Sequence, residues 1–571
     1  MTLPERARAA GVAVEYDDWA GHRVTVAPEV VEKVLAHVGE PGAPVPHTGV
    51  SLPPAPRSWG WQVQLYALHS QRSWGIGDFA DLRDLAVWAA GQGAGLVLVN
   101  PLHAVAPVHP IEPSPYSPTS RRFVDVLSIC VTELPEYAAA SDAVRREVDG
   151  LRPAPSDLVD RDAVWQAKSA ACTLLRPERL AVADAGLQEF ALYCALAEEH
   201  GKDWHDWPPG LRERDSAALD DARERLASRV TFHAWLQVRA EEQAAAAQAA
   251  ALDAGMAVGI VHDLAVGVDP GGADAWMLQD VLASGVTVGA PPDSFNQQGQ
   301  DWALPPWRPG ALARWGYEPV RQMITAVLGR GGGVRVDHVM GLFRLWWIPA
   351  DVRPGQGAYV SYDAEAMLDV VCGAAVEQRG IVVGEDLGTV EPAVRQALSR
   401  RGVLGSAVLW FERTDDNPAG PPKPVGAWRA DAMASISTHD LPTAAGFLTG
   451  EHVRVRDELG LLGRPAAEEW AAHEQERAAL LDALVDEGVL ASVDAPTDDV
   501  VVAMHAYLGR TPSRIVLASP YDVVGETRQP NLPGTTDAYP NWRIRLPLSL
   551  EELVADSRVA AVGAVLRQAR P

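Results

Sequence analysis

The chain has 571 residues, 47% of them hydrophobic and 22% charged, which is enough apolar material for a large core and excludes an intrinsically disordered chain. Its 49 Lys and Arg against 75 Asp and Glu leave a formal charge of −26, a field that repels nucleic acid and anionic membrane surfaces and is indifferent to a neutral ligand. Four cysteines, Cys130, Cys172, Cys194 and Cys372, sit in apolar surroundings without a CxxC spacing and read as reduced core thiols of a cytoplasmic protein, not as a zinc site or a disulfide frame.

Residues 1–38 carry two short helical patterns, at 5–10 and 28–38, and lack the continuous apolar segment of a signal peptide. The Pro- and Gly-dense stretch 39–58 reads as a linker, which makes 1–38 a small N-terminal helical appendage. From residue 59 strand-like runs at 62–67, 95–100, 257–263, 333–337, 381–385, 407–411, 434–438 and 514–519 alternate with helical ones at 79–90, 244–254, 319–328, 362–378 and 390–400. This pattern predicts an α/β fold, a (β/α)8 TIM barrel over 59–571. Two intervals exceed an ordinary connection and read as helical insertions. One is about 107–250, with helical patterns at 162–175, 186–199 and 232–246; the other is about 443–510, with patterns at 466–487 and 497–508. The uncharged stretch 85–111 is long enough to cross a membrane, but Gly91, Gly93, Gly95, Pro101, Pro107 and Pro110 break it into helix end, strand and loop.

Three acidic signals close three of these strand runs: Arg335-Val336-Asp337, Gly384-Glu385-Asp386 and Thr438-His439-Asp440. A barrel gathers its reactive groups at the C-terminal ends of its strands, so their placement points to one shared mouth. The strand period of two puts Arg335 and Asp337 on one face, where the guanidinium favours an ionised carboxylate, and makes Asp337 the candidate nucleophile. The same period sends Glu385 and Asp386 to opposite faces. Glu385, ending the apolar run 381–383, is the acid/base candidate, and Asp386 is left to backbone donors or a basic partner. Two carboxylates about 5 Å apart form a retaining glycosyl-transfer pair, in which one attacks the anomeric carbon and the other protonates the departing oxygen and then deprotonates the acceptor. Asp440 beside His439 suits hydroxyl binding and support of an oxocarbenium-like transition state. A lone RxD or ExD at a strand end is usually a structural ion pair; three in chain order on one barrel pattern argue against that reading. The chain has no GxGxxG after its first strand, no GxxxxGK[ST], no GxSxG, no HExxH and no DxDxDG loop, so neither a cofactor nor a catalytic metal is expected. Several of the 19 Trp, Trp207, Trp302 and Trp307 among them, fall outside evident core patterns and favour a carbohydrate ligand.

These segments together resemble the 4-α-glucanotransferases of the amylomaltase, or disproportionating-enzyme, family within the wider α-amylase-like clan. The resemblance is carried by SWGIGDF at 73–79, NPLH at 100–103, SPYSP at 114–118, DLAVGVDPGGADAW at 263–276 and GAPPDSFNQQGQDWALPP at 289–306. It continues in RVDHVMGLFRLWWIP at 335–349, GEDLGTV at 384–390, STHDLPT at 437–443 and QPNLPGTTDAYPNWR at 529–543. It implies a nucleophile at Asp337, an acid/base at Glu385 and a transition-state stabiliser at Asp440, with sugar binding by Tyr116, Arg335, His338, His439 and Asp269. It also implies an acceptor loop over 293–302, in which Asp293, Phe295, Gln300 and Trp302 hold the incoming sugar so that its 4-OH outcompetes water. Family members sharing the pattern at 3–38 generally carry a further domain before the barrel, whereas here the linker 39–58 leads straight into it. The implied partners are malto-oligosaccharides and α-1,4-glucans. The alternatives are an α-1,4-glucan hydrolase on the same barrel and a catalytically silent glucan-binding protein, which would require one of the three acids to be missing.

Overall fold

The computed structural model describes residues 1–43, 45–177, 180, 184–292, 298–388, 390–414 and 420–570. Eight parallel strands form the central sheet: β1 (Ser58–Val63), β2 (Leu96–Val99), β3 (Gly259–Leu264), β4 (Gly333–Val336), β5 (Ile381–Gly384), β6 (Gly405–Val408), β7 (Ala432–Ser435) and β8 (Ile515–Ala518). They pair in chain order, and β8 pairs with β1. The ring closes between β5 and the residue before β6, where Gly384 N–H donates to Leu404 O at 2.7 Å and Leu404 N–H to Val382 O at 3.0 Å. The result is a closed (β/α)8 barrel without a free sheet edge.

Strand alternation divides the core in two. Leu96, Leu98, Val261, Val383, Met433, Ile515 and Leu517 pack together inside the ring, while Trp59, Trp61, Val97, Val99 and Val516 of the opposite parity face the outer helices. Gly60 has the inward parity, and a Cβ there would come within 2.3 Å of the Leu96 carbonyl oxygen, so the ring tolerates only glycine at that point. The outer layer includes Phe79–Gly91, the 27-residue helix Ala227–Asp253, Glu318–Leu328, Ala364–Glu377, Pro392–Arg400, Thr497–Arg510 and Ser557–Ala569.

Several elements differ from the sequence reading. The first strand begins at Ser58, not 62, because residues 65–67 turn into a 3-10 helix where the Asn100 side chain accepts the Leu65 N–H at 2.7 Å. The strands expected at 407–411 and 434–438 likewise lie toward the N-terminus, at Gly405–Val408 and Ala432–Ser435; the chain turns as soon as its apolar run clears the ring. Helical patterns at 232–246 and 497–508 belong to barrel helices, since Ala227–Asp253 packs on β3 and on Phe79–Gly91, and Thr497–Arg510 on β8 and Ser557–Ala569. A four-stranded antiparallel sheet was not anticipated: Ala358–Ser361, Arg344–Pro349, Val286–Ala290 and Gln300–Leu304 pair in that order across the β3–β4 and β4–β5 connections. At its far edge the N-terminal segment joins through a Val12–Val360 bridge, with Tyr16 packed against Trp346 at 5.0 Å. Among the described residues no helix is long and apolar enough to cross a membrane, and all four cysteines are buried free thiols.

Candidate active site

The inward parity of the strands carries the apolar interior directly into a polar mouth. On β3 it runs from Val261 to Asp263, on β4 through Arg335 to Asp337, and on β5 from Val383 to Glu385. Ladder bonding extends one residue past the strands, with Asp337 N–H on Leu264 O at 3.1 Å and Glu385 N–H on Val336 O at 2.9 Å. Since Val336 is level with Gly384, Asp337 and Glu385 stand side by side on adjacent strands, whose backbones run about 4.8 Å apart.

Beneath them lies a charged chain whose centre, Asp263 and Arg335, is buried. Arg335 Nη1 bonds both oxygens of Asp263 at 2.7 Å and Asp337 Oδ1 at 3.1 Å. The Tyr116 hydroxyl donates to Asp263 Oδ2 at 2.7 Å and lies 3.1 Å from His439 Nδ1. On the other side of that imidazole, Nε2 is 3.2 Å from Asp440 Oδ2, and Asn531 Nδ2 donates to Asp440 Oδ1 at 2.7 Å. One connected set of contacts therefore runs Asp337, Arg335, Asp263, Tyr116, His439, Asp440, Asn531, spanning the ends of β3, β4, β7 and the segment after β8.

The electrostatics correct one expectation. Arg335 is engaged first by Asp263 and only secondarily by Asp337, and burial raises Asp337 above the usual carboxylate range despite the pull of Arg335, with Asp263 and Glu385 pushing it further up. For Arg335 itself, burial works against the charge and is outweighed by Asp263 and Asp337, which hold it firmly protonated. Burial likewise opposes a charge on His439, but Asp440 overcomes it and raises the imidazole; burial of Asp440 is overcome in turn by His439 and Asn531, which keep its carboxyl low. The two groups thus favour each other's charged forms across the 3.2 Å contact.

Glu385 is held differently. His338 takes a left-handed backbone (φ +46°) directly after Asp337, which turns its N–H onto Glu385 Oε2 at 3.0 Å, and Leu387 N–H reaches Oε1 at 2.7 Å. Asp386 points to the opposite face, where Arg429 grips it at 2.6 and 3.0 Å and Ser406 N–H donates at 2.8 Å. Trp302 meets the His338 ring edge-on at 5.0 Å and donates its Nε1–H to Gln300 Oε1 at 3.2 Å, which brings the near strand of the four-stranded sheet to the acids.

The Asp269 carboxylate accepts the Gly271 N–H of its own turn at 2.8 Å, and among the described residues no hydrogen bond or ion pair links it to the three acids. Asp293 and Phe295 lie outside the described residues. Trp207 and Trp307 are not sugar platforms: Trp207 is fully buried against Tyr193 and Trp276, and Trp307 packs in the core under Arg121. Sequence reasoning missed Asp263, Asn531 and Trp542, whose ring packs at 5.4 Å from Tyr116 and 5.2 Å from His439. The parity of Val261 was a usable signal for Asp263; the other two come from a segment without regular structure. Among the described residues no group of three or more His, Cys, Asp or Glu side chains could hold a metal ion.

A family model of 4-alpha-glucanotransferases, glycoside hydrolase family 77, matches residues 63–550. The 4-alpha-glucanotransferase of Mycobacterium tuberculosis is 49% identical over 546 residues, covering 90% of this chain and 75% of its own. That of Haemophilus influenzae is 31% identical over 559 residues, with 90% and 78% covered. Among solved structures, amylomaltase from Corynebacterium glutamicum superposes with a TM-score of 0.87 at 31% identity over 99% of both chains. Amylomaltase from Streptococcus agalactiae, solved in complex with acarbose, shares the fold at a TM-score of 0.72 and 16% identity, over 90% of this chain and 99% of that one. With the family model spanning most of its length and relatives this similar, the chain belongs to the 4-alpha-glucanotransferase family, that of the amylomaltases.

Proposed function

We propose that Asp337 is the nucleophile, Glu385 the general acid and base, and Asp440 with His439 the stabiliser of the transition state in a retaining transfer between malto-oligosaccharides and α-1,4-glucans. The observation that carries this reading is the side-by-side placement of Asp337 and Glu385 on adjacent strand ends, with the β7 acid completing the mouth. A spacing set by adjacent strands suits a covalent glycosyl-enzyme, because it leaves no room for a water between the second carboxylate and the anomeric carbon. Once Asp337 is esterified it no longer repels Glu385, and Glu385 can accept the proton of the incoming 4-OH. The aromatic face of Trp302 beside His338 supports an acceptor subsite that shields the ester from water. The buried free thiols support a reducing, cytoplasmic setting.

The test is incubation with maltotriose without metal or nucleotide. Disproportionation will release glucose and a ladder of longer maltodextrins while total reducing ends stay constant. Rising reducing ends with only shorter products would make it a hydrolase.

The raised pKa of Asp337 gives a pH prediction. Attack needs the ionised carboxylate, so kcat/KM should fall as pH falls through that raised value. The acidic limb will then lie above the ordinary carboxylate range of about 4. A limb at that ordinary value would mean that the buried environment is not felt in the free enzyme.

A further inference from the structure

Trp542 belongs to the segment after β8 and takes a left-handed backbone (φ +60°), a conformation disfavoured for a bulky side chain. Two hydrogen bonds hold it there. Its N–H donates to Pro530 O at 2.9 Å, and Arg161 Nη1 donates to its carbonyl oxygen at 2.8 Å. Arg161 is the first residue of the inserted helix Arg161–Leu175, itself buried, with its guanidinium 4.9 Å from the centre of the Tyr66 ring. The insertion thus reaches across to fix the backbone of a residue on the far side of the barrel in sequence.

The conformation has a consequence at the mouth. The Trp542 ring, 6% exposed, lies against both Tyr116 and His439, which are themselves stacked at 4.6 Å and 29°. Those two rings carry polar atoms of the charged chain, the Tyr116 hydroxyl on Asp263 and the His439 imidazole on Asp440. A planar group pressed against both limits how far either can tilt.

We propose that Trp542 is a positioning residue for the transfer reaction: locked by Arg161, its indole fixes the planes of Tyr116 and His439, and through them the carboxylates of Asp263 and Asp440. The inference rests on the catalytic assignment above. Because Trp542 acts through the groups that stabilise the transition state, its loss should appear chiefly in kcat and only slightly in KM.

The test compares Trp542→Gly, Trp542→Phe and Arg161→Met in maltotriose disproportionation, with Asp337→Asn as control. Trp542→Gly relieves the backbone and removes the ring; it should lower kcat by roughly 10²-fold, as a small misplacement of reacting groups can, with KM changed by no more than about threefold. Trp542→Phe, which keeps a planar ring, should recover kcat to within about tenfold of the parent, and Arg161→Met should fall between the two. If Trp542→Gly does not fold, Trp542→Leu, apolar but not planar, takes its place with the same expectation. A non-planar variant with parental kcat, or a loss carried by KM alone, overturns the proposal. Full turnover by Asp337→Asn would instead overturn the catalytic assignment, whatever the Trp542 variants do.

Discussion

Asp337→Asn will reduce disproportionation of maltotriose by about four orders of magnitude or more, because an amide cannot form the glycosyl ester and removing a nucleophile costs most of the chemical step. The substitution is nearly isosteric and retains an acceptor for Arg335 Nη1, so the fold should survive. Glu385→Ala will lose a comparable amount with maltotriose but will separate the two half-reactions. With a maltosyl fluoride donor the leaving group needs no protonation, so Asp337 can still attack and the glycosyl-enzyme accumulates. Azide, which needs no general base, should then displace Asp337 from the face the acceptor uses and release a glycosyl azide with the same anomeric configuration as the ordinary product. Asp337→Asn should show neither accumulation nor rescue. A burst from Asp337→Asn, or an azide product of inverted configuration from Glu385→Ala, would remove Asp337 from the covalent role.

The placement of these acids was legible in the sequence because two simple rules coincide there. Each acid ends an apolar strand run, and the period of two fixes which side chain faces inward; hence Glu385 rather than Asp386 points into the mouth, while Asp386 is consumed by Arg429 and Ser406. The same rule applied to Val261 would have found Asp263, but its significance depends on Arg335, 72 residues away, and on Tyr116, 147 residues away in the other direction. Contacts of that range leave no local pattern. Strand edges were misplaced for a related reason. Polar inward residues such as Gln62, which bonds the Ser437 carbonyl at 2.9 Å, look like strand starts or loops in a linear reading but are barrel interior. The four-stranded sheet was missed because Val286–Ala290 is short and one of its partners, Arg344–Pro349, is supplied by the next connection, beyond β4. Trp207 and Trp307 show the limit of composition: an indole outside an obvious amphipathic pattern can still be core when an insertion or a side sheet covers it.

Asp263→Ala should destabilise the protein by about 3–5 kcal/mol and leave only a small residue of the transfer activity, which makes it the most damaging substitution at a residue assigned no direct chemical step. The stability loss follows from what is left behind. Arg335 is buried and firmly charged, and Asp263 supplies two of its three carboxylate contacts; without it a desolvated guanidinium keeps only the longer bond to Asp337. Tyr116 simultaneously loses its 2.7 Å acceptor and retains only His439. The activity loss follows from where the orphaned cation turns. With Asp263 gone, Arg335 is free to pair fully with Asp337, drawing electron density from the attacking oxygen and lowering its pKa, so any residual activity should extend to lower pH than in the parent. Asp263→Asn, which can still accept from Arg335 but no longer balances its charge, should recover part of the stability and little of the activity. Denaturant midpoints and pH profiles of the two variants test this. Parental stability in Asp263→Ala would mean that water replaces the carboxylate, and an unmoved acidic limb would mean that Arg335 stays where Asp263 had held it.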